Sequence, residues 1–191
     1  EPERHPALTV HTAEPCNAEA PVAMLGDPYI TPTELWYVRN HHPVPLDDGD
    51  AHFLSITTDH GNEVSLSVAD LKKNYTRQTV TATMQCSGNR RGHMNQYGKT
   101  SGTAWGSGAA STAEWAGVPL RVVVADLLFK DKSAPLSTAK TLGAKHVIFE
   151  AKDDMQASVP VEKALSELGD CLLAYEMNGA PIPRDHGGPL R

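Results

Sequence analysis

The alternation of apolar and polar positions first becomes regular at Phe53. Phe53 to Thr57 and Glu63 to Leu66 read as short strands on either side of the turn signal Asp59-His-Gly-Asn62. Ser67-Val-Ala-Asp70 sets a capping hydroxyl three residues before a carboxylate, which predicts a short helix through Lys73. From Gln78 to Cys86 the alternation is clean, with Val80, Ala82, Met84 and Cys86 on one face, so Cys86 is predicted to end a strand. Val118 to Phe129 predicts a helix with Pro119 in its first turn. His146 to Glu150 and Leu172 to Glu176 predict further strands, the second closed by the turn pair Asn178-Gly179, with a short helix from Val161 to Leu168 between them. Residues 1 to 34 carry little periodicity and predict an extended arm or loops wrapped on a body, with a helical turn starting near Thr31-Pro-Thr-Glu34. Residues 98 to 113 predict a loop of small residues. Strands and helices interleave irregularly, and this predicts an α+β fold of mixed β-sheets with short helices rather than a doubly wound parallel sheet.

Composition narrows the function classes. With 191 residues and 40% hydrophobic content the chain can bury a sizeable core. Seventeen Lys+Arg against 23 Asp+Glu give a formal net charge of −6, which argues against nucleic acid and anionic membrane surfaces as partners and requires any bound anion to be captured locally. No apolar run approaches the roughly 18 residues that span a bilayer, so no membrane span is expected. The chain opens on Glu1 and ends on Gly-Gly-Pro-Leu-Arg191, and is expected to be a processed or excised segment. Its three cysteines include no C-x-x-C pair, so neither a zinc ribbon nor a complete disulfide framework is written here.

Candidate chemistry concentrates in two stretches. After Cys86 comes Ser87-Gly-Asn-Arg-Arg-Gly92, in which glycines let backbone N–H groups approach an anion and arginines offer planar forks for one. Trp36-Tyr-Val-Arg-Asn-His-His-Pro-Val-Pro45 packs Arg39, Asn40, His41 and His42 together ahead of a Pro-x-Pro. An ordinary polar loop would account for the latter. A zinc site of His41, His42, Cys86 and His93 matches no familiar ligand spacing, no G-x-S-x-G elbow marks a nucleophilic serine, and the phosphate-binding glycine motifs are absent. Soft-metal chemistry needs a thiolate at a rigid strand end, arginines around it and donors for an extended cofactor; Cys86, Arg39, Arg90, Arg91, Asn40 and His41 supply those groups.

Taken in order, Arg39-Asn-His41 with Pro43-Val-Pro45, Val80-Thr-Ala-Thr-Met-Gln-Cys-Ser-Gly-Asn-Arg-Arg-Gly-His-Met94, Gly108 to Leu120, Leu173-Ala-Tyr-Glu-Met-Asn-Gly179 and Pro183-Arg-Asp-His-Gly187 closely resemble the molybdenum-cofactor domain of the sulfite oxidase family. Glu1 to Leu8 and Cys16-Asn-Ala-Glu-Ala-Pro21 resemble the start of that domain. The resemblance implies the N-terminal part of a sulfite-oxidase-type molybdopterin-binding fold over residues 1–191, incomplete at its C-terminus, with the dimerisation domain and any haem domain lying outside this chain. It implies Cys86 as the thiolate ligand of a molybdenum-molybdopterin cofactor. Tyr37, Val38, Arg39, Asn40, His41, Asp153, His186 and Arg191 would hold the cofactor, and Arg39 would also line the anion pocket. Arg90 and Arg91 are expected to order the loop after the cysteine. The implied activity is oxidation of sulfite to sulfate by oxygen-atom transfer, with cytochrome c or oxygen as electron acceptor and a homodimer as the full-length protein. Eukaryotic assimilatory nitrate reductase shares the architecture and is the alternative, together with a non-catalytic truncated homologue. Relatives occupy the mitochondrial intermembrane space, peroxisomes or the periplasm, and no address is written in these residues. Ser87 and Gly188 depart from the family's usual alanine and aromatic residue at those places.

Overall fold

A computed structural model of the chain describes residues 3–26, 28–46, 48–58, 61, 63–129 and 132–191. The chain divides into two compact units. The first comprises Glu1–Leu46, Thr81–Trp115 and Glu176–Gly188; the second comprises Asp47–Val80, Ala116–Tyr175 and Pro189–Arg191.

In order, the elements are β1 (Thr9–Thr12), β2 (Asn17–Glu19), β3 (Val38–Arg39), β4 (Phe53–Thr57), β5 (Glu63–Ser67), α1 (Val68–Asn74), β6 (Gln78–Gln85) and α2 (Arg91–Met94). Then follow β7 (Ala110–Pro119), α3 (Leu120–Leu128), α4 (Pro135–Thr141), β8 (His146–Glu150), β9 (Gln156–Pro160), α5 (Val161–Leu165), β10 (Leu172–Met177) and β11 (Ala180–Pro181). Among the described residues four sheets result, ordered β1-β2-β3, β11-β10-β7-β6, β4-β5 and β8-β9. Short helices among mixed sheets make the fold α+β, as the irregular interleaving predicts. Among the described residues no helix is long and apolar enough to cross a membrane.

The first unit contains the β1-β2-β3 sheet. Ala18 and Val38 face each other across β2 and β3 and, with Leu8, Cys16, Ala20 and Leu35, form a small core. Beside it Trp36 stacks on Tyr37 and meets Trp115 edge-on, with ring centroids 5.9 and 5.5 Å apart. The segment of low periodicity at the N-terminus, expected as an extended arm or loops wrapped on a body, contains strands β1 and β2, and β2 is buried along its whole length.

The second unit gathers its core around Leu71, Val118, Val123 and Val161, all at 1% exposure or less. Burial of each such side chain contributes about 1.5–3 kcal/mol. Ser67 caps α1: its hydroxyl accepts from the Asp70 N–H at 3.0 Å, while the Asp70 carboxylate accepts from the Ser67 N–H at 2.9 Å. This is the reciprocal box that the sequence predicts. In the β4-β5 hairpin Phe53 pairs with Ser67 and Thr57 with Glu63; of the predicted turn, Asp59, His60 and Asn62 lie outside the described residues.

Several boundaries differ from expectation. Pro119 caps α3 instead of entering its first turn, because β7 runs through Pro119 and leaves the helix to start at Leu120. The helix expected over 161–168 stops at Leu165. Strand β7 takes over residues 110–113 of the predicted loop, and β9 forms where the sequence predicts no element; β7 is built mostly of small residues around Trp115, alternately buried over its first six positions and buried throughout its last four. Asn178 and Gly179, with φ of 53° and 78°, make the tight turn between β10 and β11.

Candidate functional site

Cys86 is the residue directly after β6, half-buried, on the same face as Val80, Ala82 and Met84. Its backbone N–H donates to Ala109 O at 3.0 Å, and its Sγ accepts from the Gly88 N–H at 3.4 Å. The other cysteines are less available. Cys16 is buried in the first unit's core, and in the second unit burial pushes the Cys171 thiol up, an effect that nearby Lys163 opposes.

The loop after Cys86 is tied down from several sides. Arg90 holds a left-handed backbone, φ 69°, and donates its N–H to Gly106 O. The Arg91 guanidinium packs over Gly88 and Gly102 and donates to Thr103 O at 2.9 Å. Asn89 Oδ1 accepts from the Ala109 N–H at 3.1 Å. Arg91 thus orders this loop, in line with the role expected from sequence.

Tyr37 to His41 run through and past β3. Tyr37 is buried against Trp36, and Val38 is 1% exposed with its side chain in the core, which leaves its backbone as the part that can meet a ligand. Arg39 is half-buried: Nη1 donates to Asn17 Oδ1 at 3.0 Å and to Asn40 O at 2.7 Å, and Nη2 lies 2.8 Å from the His41 ring. His186, 7% exposed, sits edge-on to Trp36 at 6.1 Å with Nε2 3.3 Å from Thr33 O. The first unit therefore holds Tyr37 to His41, Cys86 and His186.

Asp153 and Arg191 belong to the second unit. Asp153 lies in the turn between β8 and β9, where its carboxylate accepts from the Met155 N–H at 3.3 Å. Arg191 pairs through its backbone with Ala174, at 2.6 and 2.7 Å. Among the described residues no group of three or more His, Cys, Asp or Glu side chains could hold a metal ion, so the set His41, His42, Cys86 and His93 does not assemble a zinc site.

Residues 41–191 match the family described as oxidoreductase molybdopterin binding domain. The chain belongs to this family. Sulfite oxidase of Gallus gallus is 41% identical over 197 residues, covering 100% of this chain and 41% of that protein. Inducible nitrate reductase [NADH] 2 of Glycine max is 35% identical over 186 residues, covering 93% of this chain and 20% of that protein. The chain thus spans at most about two fifths of the length of these relatives. Among solved structures, the sulfane dehydrogenase SoxCD from Paracoccus pantotrophus superposes with a TM-score of 0.69 at 22% identity, over 98% of this chain and 43% of that one. That likeness establishes the fold.

The cofactor of an oxidoreductase molybdopterin-binding domain of this family is a molybdenum-bearing molybdopterin, and the residues fit it. A lone soft donor with a backbone N–H directed at it suits a metal whose remaining ligands come from the cofactor and not from the protein. The indole Nε1 of Trp105, fully buried in the loop whose carbonyls accept from the Arg90 and Gly92 N–H groups, has no hydrogen-bond partner among the described residues.

Sequence reasoning missed the polar residues of β2. Asn17 and Glu19 are 4% and 7% exposed, yet they occupy a stretch with no periodic signal. Only their place in the block Cys16 to Pro21 sets them apart.

Proposed function

We propose that this domain oxidises sulfite to sulfate as part of a molybdenum-dependent sulfite oxidase. The observation that carries the reading is Cys86: one available thiol at a strand end, its sulfur receiving the Gly88 N–H, in the same compact unit as the Arg39 guanidinium. Cys86 would hold the metal and Arg39 the anion. Tyr37, Asn40, His41 and His186, with the backbone of Val38, would hold the pterin and its phosphate.

Sulfite and water give sulfate, two protons and two electrons. When bound, the molybdenum cofactor supplies that two-electron chemistry and passes the electrons to an acceptor such as cytochrome c or oxygen. The chain's own task is to bind and orient. A doubly charged anion approaching a protein of net charge −6 needs fixed positive charge at short range, and a guanidinium that cannot lose its proton provides it. Two of the Arg39 Nη1 contacts are to neutral carbonyl oxygens, so its charge is held in place without being neutralised. Assembly as a homodimer belongs to this proposal.

Nitrate is the second reading, favoured by the nitrate reductase relative. Sulfite ranks first because the sulfite oxidase relative is more similar over the whole chain. The test is metal and pterin analysis of protein from a cofactor-competent host, coupled to turnover with sulfite and with nitrate. Molybdenum near one per chain, sulfite turnover, and loss of that turnover in Cys86→Ser are the expected results. Nitrate turnover alone would favour the second reading, and an active Cys86→Ser variant would refute the role of the thiol.

A further inference from the structure

The three residues of β2 touch both halves of the proposed site. Asn17 and Glu19, two apart on a strand, share one face while Ala18 points into the core. Each is buried, and each spends its polar atoms on a different part of the first unit.

Asn17 engages the Arg39 side. Its Oδ1 accepts from Arg39 Nη1 at 3.0 Å and from the Asn40 N–H at 3.2 Å, and its Nδ2 donates to Thr12 Oγ1 at 2.8 Å and to Pro15 O at 3.0 Å. All four hydrogen-bonding positions of the amide are filled, so the side chain has one orientation available. In register, Asn17 stands directly opposite Arg39.

Glu19 engages the Cys86 side. Oε1 accepts from the Gly106 N–H at 2.7 Å and Oε2 from the Gly108 N–H at 2.8 Å, a two-pronged grip on a strap of backbone. His11, the residue left without a strand partner at the β1 bulge, brings Nε2 to 2.8 Å from Oε1 and packs its ring edge-on to Trp105. The strap in turn holds the cysteine turn: Gly106 O accepts from the Arg90 N–H, and Ala109 O accepts from the Cys86 N–H. Glycine is needed for so close an approach, because a Cβ at residue 108 would lie 1.9 Å from Ala20 O.

From this chain of contacts we infer that Asn17 and Glu19 are positioning residues, and that β2 sets the separation between the anion-binding guanidinium of Arg39 and the metal-binding sulfur of Cys86. The inference rests on the roles proposed above for those two residues. Neither Asn17 nor Glu19 touches the reacting groups; each acts through a neighbour. Charge-assisted bonds from a buried carboxylate to two backbone N–H groups are among the stronger fixings a loop can have, and displacement of a reacting group by about 1 Å can cost roughly a hundredfold in rate.

Two variants and one exchange measurement test this in the cofactor-loaded protein. Asn17→Leu keeps the volume and removes the grip on Arg39; it should raise KM for sulfite roughly tenfold while kcat changes less, since the loss is of anion orientation. Glu19→Gln can accept only one of the two strap N–H groups; it should alter the electron paramagnetic resonance signature of the molybdenum and speed exchange of the Gly106 and Gly108 amides roughly tenfold. Folded variants with wild-type KM, metal spectrum and exchange would overturn the inference. Should a variant fail to fold, exchange in the wild-type protein decides: protected amides at 106 and 108 support the clamp, and exchange as fast as a free glycine amide refutes it. Loss of the proposed function shows differently, as wild-type protein without molybdenum or sulfite turnover.

Discussion

Arg4 and Asp185, 181 positions apart, form a two-pronged ion pair, with Nε 2.6 Å from Oδ2 and Nη2 3.0 Å from Oδ1. Asp185 is almost completely enclosed, while the Arg4 side chain is 28% exposed. The pair ties the N-terminal segment to the short helical turn that carries His186, and Asn40 Nδ2 approaches the same carboxylate at 3.5 Å. Arg184 in that turn donates to Val44 O and Pro45 O.

Arg4→Ala should therefore do two things. It leaves the Asp185 carboxylate buried without its main counter-charge, which should cost about 2 kcal/mol after allowing for water reaching the partly exposed arginine end. It should also loosen His186 and Asn40, so that pterin content falls. Denaturant unfolding and cofactor analysis measure the two effects separately.

Arg39→Lys preserves the charge but not the fork. Lysine cannot reach Asn17 Oδ1 and Asn40 O together with the same fixed geometry, so KM for sulfite should rise roughly tenfold or more. Steady-state kinetics across sulfite concentrations check this, and an unchanged KM would remove Arg39 from the anion pocket.

In the second unit, Gly117 lies hard against β10. A Cβ there would stand 2.1 Å from Leu173 O and 2.6 Å from Ala174 Cα, both backbone atoms that cannot swing aside. Gly117→Ala should destabilise the protein by about 3 kcal/mol, read as a lower denaturant midpoint.

Tyr75 gives a pH prediction. Its hydroxyl donates to Asp126 at 2.9 Å, and the phenol is pushed up from 10.0 to about 12, first by burial, then by the hydrogen bond and charge of Asp126. Because the folded value is raised, the resulting stability is fully present below pH 10 and is lost as pH rises through about 12. Asp126→Asn should lower the Tyr75 value part of the way, since burial remains. Ultraviolet titration of the phenolate follows it directly. The Asp126 carboxyl itself lies below its usual range, chiefly through Lys132 and then through Tyr75.

By itself the sequence determined the elements whose signals are local. The alternation from Gln78 placed Cys86 at a strand end, Ser67 and Asp70 announced the box that starts α1, and Asn178-Gly179 marked its turn. The ordered blocks around Cys86 identified the family and its cofactor, because a soft ligand and its flanking loop are contiguous in the chain. What the tertiary structure decided is how those pieces are held. Asn17 and Glu19 look like unpatterned polar residues in a Pro- and Ala-rich arm, and their partners Arg39, Gly106 and Gly108 lie 22, 87 and 89 positions away. Buried polar groups are stabilised only once those distant donors arrive, so no local period can announce them. The same holds for β7, whose small buried residues become a strand through their neighbours β6 and β10 rather than through any preference of their own.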